Sequence, residues 1–231
     1  MPIDLICLDA DDTLWHNMRY FERAEHGFAE ILAPVVDAGV AVERMAAVEI
    51  RNLRRYGYGA KSFTLSMIET AVELAGDAVD AAMIGRILSV GHELLAHPVD
   101  LLDGIGETME RLAAMGRLVL VTKGDLLHQE TKLAASGLGG LFTGIEIVSD
   151  KTDDTFARVF RRYGSPPDAA MMAGDSMRSD ILPALAAGAW AAFIPQAKQW
   201  AHECAEPPAD HPRLTTLARL GDLPDWIATI A

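Results

Sequence analysis

The sequence predicts an α/β protein: a doubly wound parallel sheet interrupted after its first strand by an all-helical insert. Three observations predict it. A short apolar run near the N-terminus ends abruptly in a cluster of acids, residues 16–97 carry only helical periodicity, and the chain after Pro98 alternates strand with helix.

Ile3 to Leu8 reads as a buried parallel strand, because its apolar run is nearly continuous rather than alternating. The insert begins with Phe21, Ala24, Phe28, Ile31 and Leu32 at helical spacing, followed by helical stretches over Val42 to Leu53, Leu65 to Leu74 and Ala81 to Leu95. Between the second and third, Tyr56 to Ser62 contains Gly57 and Gly59 and predicts a loop. Beyond Pro98 the order is helix Glu107–Met115, strand Leu118–Val121, helix Leu126–Ser136, strand Gly144–Val148 and helix Thr155–Tyr163. Strand Ala170–Ala173, helix Ile181–Ala187 and strand Trp190–Ile194 follow, and the helices stop at Gly116, Gly137, Gly164 and Gly188. The tail from Ala205 is Pro-rich at first and ends in a short helix near Leu223 to Ile230. The expected organisation is a Rossmann-like core of residues 1–15 and 98–231, with a helical cap over 16–97.

Composition narrows the partners. Twenty basic and 33 acidic residues give a formal charge of −13, which reads against nucleic acid, whose binders need a basic face. It does not read against a small anionic substrate, since a metal ion and a few cations reverse the field inside one pocket. No apolar run reaches the roughly 18 residues that cross a bilayer, and the start lacks the basic region of a secretory leader. The two cysteines, Cys7 and Cys204, do not suggest a disulfide framework. The expectation is a cytoplasmic protein with no membrane or nucleic-acid partner, a monomer if the insert's helices bury themselves and a homodimer if they pair.

In open α/β sheets ligands bind beyond the carboxyl ends of the strands. Those ends here carry Asp9, Asp11 and Thr13, then Thr122 and Lys123, then Asp150 and Lys151, then Asp175 and Asp180. Acids, a hydroxyl and lysines thus converge on one edge of the sheet. Clustered carboxylates repel one another unless a cation lies between them, and their oxygens suit Mg²⁺. A carboxylate can also attack a phosphoryl group and form an aspartyl-phosphate, splitting one hard step into two. Thr122 and Lys151 are candidates to hold the phosphoryl oxygens, and Lys123 competes with Lys151 for that part. Asp150, Asp153 and Asp154 read as acids at a helix N-terminus rather than as metal ligands.

Four of these segments resemble the ordered motifs of the haloacid dehalogenase superfamily. Asp9-Ala10-Asp11-Asp12-Thr13 matches its DxDxT opening, Val121-Thr122-Lys123 its second motif, Lys151 its third, and Gly174-Asp175-Ser176-Met177-Arg178-Ser179-Asp180 its acidic fourth. The resemblance spans roughly residues 3 to 195 and implies a phosphatase with an α-helical, C1-type cap. It implies Asp9 as nucleophile and Asp11 as the acid that protonates the leaving alcohol and then the base that activates water. It further implies Thr122 and Lys151 as phosphate contacts, and Mg²⁺ held by Asp9, the Asp11 backbone carbonyl and Asp175. Asp180 would act on metal-bound water or on Lys151, and Thr13 would bond backbone in its turn.

Asp11 also discriminates within the superfamily, since dehalogenation needs no proton for its leaving halide and true dehalogenases of this type lack that acid. The expected reaction is Mg²⁺-dependent hydrolysis of a small phosphorylated metabolite. The alternatives are a phosphomutase, a phosphonatase, for which Lys61 is the insert's lysine, a haloacid dehalogenase, and a receiver-like phospho-switch. Tyr58 and Lys61, on the glycine-rich loop, are the candidates for selecting the leaving group.

Overall fold

The computed structural model describes residues 2–230. They divide into two compact units. One comprises the residues up to Met18, Val99–Lys123 and those from Gln129 onward; the other comprises Arg19–Pro98 together with Gly124–His128. No helix among the described residues is long and apolar enough to cross a membrane.

The first unit is built on a six-stranded sheet: β1 (Leu5–Leu8), β2 (Arg117–Lys123), β3 (Gly144–Val148), β4 (Ala170–Gly174), β5 (Trp190–Phe193) and β6 (Leu214–Thr216). All pairings are parallel, in the order β3-β2-β1-β4-β5-β6. This is the doubly wound α/β fold, whose strand order reverses between β1 and β4. β6 was not expected from the sequence. Three residues are too few to show a pattern of their own, and the backbone of β5 supplies the pairing.

The second unit holds four helices: α1 (Met18–Leu32), α2 (Ala38–Tyr56), α3 (Ala60–Ala75) and α4 (Ala81–Leu95). Their apolar faces close on one cluster that includes Phe28, Leu32, Met45, Phe63, Met67 and Ile87. Asp37 caps α2 through Gly39 N at 2.9 Å, and Asp80 caps α4 through Met83 N at 2.7 Å. The loop expected over Tyr56 to Ser62 is only Gly57–Gly59, both glycines at positive φ, so Lys61 lies in the first turn of α3. Its Nζ donates to Asp125 Oδ1 at 2.9 Å. Glu49 on α2 is pushed up to about 7 by burial and then by Glu25. A raised carboxyl means that folding favours its protonated form. That preference is fully present below the ordinary range of 4.5 and is lost as pH rises through about 7. Glu49→Gln is therefore expected to raise the thermal midpoint at pH 8 and leave it nearly unchanged at pH 4, measured by calorimetry.

Five helices complete the first unit: α5 (Ile105–Met115), α6 (Leu126–Ser136), whose first residues belong to the other unit, α7 (Asp153–Arg162), α8 (Leu182–Ala186) and α9 (Leu223–Ile230). Alternate residues of one strand point to opposite faces. Ile6 and Leu8 therefore pack with Met109, Leu112, Leu223 and Ile227, while Leu5 and Cys7 pack with Phe156, Phe160 and Ala184. Helices on both faces explain why the central strands read as unbroken apolar runs. The helix expected from Ile181 is preceded by a wide turn over Met177–Ile181, in which Ile181 N reaches Ser176 O at 3.2 Å.

Candidate active site

Parallel pairing sets Leu8 of β1 opposite Ala173 of β4, so the residues that follow both strands leave the sheet side by side. Asp9 N donates to Ala173 O at 3.0 Å, which anchors the start of the acidic turn. The turn is tight: Leu14 N bonds Ala10 O at 2.8 Å, and Asp12 takes a positive φ of 58°. Asp12 then caps α1, its carboxylate accepting from Asn17 N at 2.8 Å and Met18 N at 2.9 Å.

One carboxylate oxygen each from Asp9, Asp175 and Asp180 lies within 4.8 Å of the others. The wide turn after Ser176 brings Asp180 inward, where its Oδ2 accepts from Ser176 N at 3.0 Å. Gly174 is required for that approach, since a Cβ there would stand 2.2 Å from Asp180 Oδ2. Gly174→Ala is expected to displace Asp180 and to destabilise by about 1–3 kcal/mol, as overpacked sites do. Thermal denaturation measures the loss.

Lys151 enters from the turn between β3 and α7. Thr152 caps α7 and Thr155 Oγ1 holds the Asp150 carbonyl at 3.0 Å, which fixes the backbone around the lysine. Lys151 Nζ is buried and donates to Asp9 Oδ1 and, at 2.6 Å, to Asp180 Oδ1. Three carboxylates around one ammonium leave a net charge of −2, which a divalent cation would balance, so the donor set fits such an ion.

The electrostatics show the cluster resisting that charge when no cation is bound. Burial pushes Asp9 up to about 7, opposed by Lys151 and assisted by Asp180 and Asp11. Asp175 is raised well above the carboxylate range by burial and then by Asp9, Asp180 and Asp12. Lys151 moves the other way: burial would lower it, but Asp180 and Asp9 outweigh burial and raise it.

A family model for haloacid dehalogenase-like hydrolases matches residues 3–188, a span holding Asp9, Lys151, Asp175 and Asp180. The chain belongs to that family. The haloacid dehalogenase-like family hydrolase of Xanthomonas campestris is 41% identical, with a TM-score of 0.89 over 99% of this chain and 91% of that one. A haloacid dehalogenase-type hydrolase of Bacillus subtilis, solved bound to magnesium, is 18% identical with a TM-score of 0.66 over 98% of this chain and 99% of that one. The L-2-haloacid dehalogenase of Xanthobacter autotrophicus is 14% identical with a TM-score of 0.69 over 99% of this chain and 100% of that one. The last two likenesses establish the fold alone. Among curated proteins, none matches the chain.

The remaining expected site residues of this hydrolase are placed unevenly. Asp11 is held by three side chains: Trp15 Nε1 at 2.7 Å, Lys132 Nζ at 2.5 Å and Gln129 Nε2 at 3.1 Å. Burial works to raise Asp11, but Lys132, Trp15 and Gln129 outweigh it and hold the carboxyl below its ordinary range. Thr122 Oγ1 accepts from Gln129 Nε2 at 2.7 Å. Thr13, expected to bond backbone, instead directs its hydroxyl to Asp9 Oδ2 at 3.4 Å, because the turn folds it back over β1. Lys123 Nζ is engaged by Glu203 at 2.6 Å and Ser179 Oγ at 2.8 Å. Ser176 Oγ donates to the same Glu203 carboxylate at 2.5 Å, and Gln199 Nε2 donates to Asp175 O at 2.7 Å. Tyr58 and Lys61 belong to the helical unit, where Lys61 is committed to the exposed pair with Asp125.

Gln129, Lys132, Glu203 and the indole of Trp15 escaped the sequence reading. Trp15 is fully buried and also donates to Asp11. The first two left no local signal in the sequence of α6. There Leu126 and Leu127 are exposed while Gln129 and Lys132, one turn apart on one face, are buried.

Proposed function

We propose that this hydrolase removes phosphate from a small phosphorylated metabolite with Mg²⁺ bound, through an aspartyl-phosphate on Asp9. The observation that carries this reading is the second carboxylate, Asp11, two residues after Asp9 and tied through Gln129 to Thr122. A departing halide needs no proton, whereas a departing alkoxide does. Lys132, Trp15 and Gln129 hold Asp11 as a carboxylate before substrate enters; the negative charge of a bound phosphate would raise it, and protonated Asp11 is then the group placed to supply that proton.

Asp9, Asp175 and the Asp11 backbone carbonyl would hold Mg²⁺, with Asp180 acting on its waters and on Lys151. Bound there, the ion would offset charge on the phosphate oxygens. An Asp9 oxygen attacks phosphorus as the bond from phosphorus to the leaving oxygen breaks, and that oxygen takes the proton from Asp11. Asp11, now a carboxylate, draws a proton from water, the water oxygen attacks phosphorus, and the Asp9–phosphorus bond breaks. Phosphate departs, and Asp9 and protonated Asp11 are restored. Thr122 holds a phosphoryl oxygen, and Lys151 offsets the charge between nucleophile and phosphate.

The test is a panel of phosphomonoesters with Mg²⁺ and with EDTA, run beside 2-chloropropionate. Phosphate release that EDTA abolishes supports the reading. Chloride release without phosphate release would replace it with dehalogenation.

A further inference from the structure

Lys132 is a buried lysine on α6 whose ammonium donates to Asp11 Oδ1 at 2.5 Å and lies 3.3 Å from Asn17 Oδ1. One turn earlier, Gln129 Nε2 lies within hydrogen-bond reach of Asp11 Oδ2, Thr122 Oγ1 and the Lys123 carbonyl at 2.8 Å. With Trp15 Nε1 on Asp11 Oδ1, both oxygens of this carboxylate are engaged by donors from fixed elements. An unpaired ammonium at such a depth is strongly disfavoured, so the lysine and the carboxylate hold each other in place. On α6 Leu126 and Leu127 are exposed, while Gln129 and Lys132 are buried with Leu133, and both polar side chains contact the acidic turn.

We propose that Lys132 is a positioning residue for Asp11, with Gln129 as the brace that ties Asp11 to Thr122. The inference rests on the phosphomonoesterase reading above. Lys132 acts through Asp11 rather than on substrate: it fixes the direction in which the carboxyl faces the leaving oxygen. A carboxyl free to rotate would still be present but would meet the leaving group less often in a productive geometry.

A positioning role separates from a merely structural one by leaving-group dependence. p-Nitrophenyl phosphate expels a stable phenolate that needs little help from an acid, whereas glycerol 2-phosphate expels an alkoxide that needs it. Lys132→Met is expected to lower kcat/KM for glycerol 2-phosphate by at least about tenfold and for p-nitrophenyl phosphate by less than about threefold. In an Asp11→Asn background the same substitution should change either value by less than about twofold, because the residue it positions is gone. Equal losses on both substrates, or a full additional loss in the Asp11→Asn background, would overturn the proposal. If Lys132→Met does not fold, Lys132→Gln retains an N–H donor and is judged by the same two criteria. Wild-type enzyme inert toward both esters would sink the phosphatase reading itself, whereas active wild type with an uncoupled Lys132 sinks this inference alone.

Discussion

Under the proposed aspartyl-phosphate route, Asp9→Asn is expected to lower phosphate release at least about a thousandfold and to fold normally. The amide is nearly isosteric, so the packing of the acidic turn is preserved. It presents a neutral oxygen where the nucleophile must be anionic, and this removes the covalent route rather than weakening it. The structure adds a second expectation. Asp9 is pushed up to about 7 by burial, with Asp180 and Asp11 adding to the rise. A raised carboxyl contributes stability below its ordinary range of 3.8 and loses it as pH rises through about 7. At pH 8 without divalent cation, Asn therefore relieves the charge crowding while keeping a neutral acceptor for Lys151 and losing its negative charge. The thermal midpoint of the variant should stay within a few degrees of wild type. Added Mg²⁺ should raise that midpoint less than in wild type, because one of the three carboxylates is gone. Turnover near the wild-type rate would exclude Asp9 as the nucleophile.

Lys151→Met should produce the largest loss of stability among single substitutions at the site. The Lys151 ammonium is buried between Asp9 and Asp180, with the side chain 2% exposed. Removing it leaves the Asp9, Asp175 and Asp180 carboxylates without their cation. Breaking a buried pair in this way typically costs about 3–5 kcal/mol. The charge count predicts the direction of rescue. The cluster passes from −2 to −3, so Mg²⁺ should stabilise the variant by a larger increment than it stabilises wild type, read as the shift in thermal midpoint. Phosphate release should remain at least about a hundredfold below wild type even when Mg²⁺ restores the fold, because the ion does not replace a donor aimed at Asp9. A variant of unchanged stability, or one indifferent to Mg²⁺, would contradict the reading of these four residues as one electrostatic unit.

Much of the scaffold was legible before folding because its signals are local. An apolar run that stops at an acid is a strand end wherever it occurs, and α6 and β3 lie where the periodicity placed them. Other features left no local trace. Three residues of β6 become a strand because β5 offers an unpaired edge. Periodicity marks α6 as a helix without saying which polar residues face inward, and the fold buries Gln129 and Lys132 while Leu126 and Leu127 stay exposed. Lys123 and Lys151 are alike in one dimension, each following a strand. The fold sends Lys151 to Asp9 and Asp180, and Lys123 to Glu203, a residue 80 positions downstream.

By itself, then, the sequence determined the α/β class, the helical insert and the acidic strand ends, since each depends on residues close together in the chain. Tertiary structure alone decided which lysine pairs with Asp9, which side chains hold Asp11, and why Gly174 must lack a side chain. Those outcomes depend on distances between segments far apart in sequence, and such distances exist only once the sheet has been ordered.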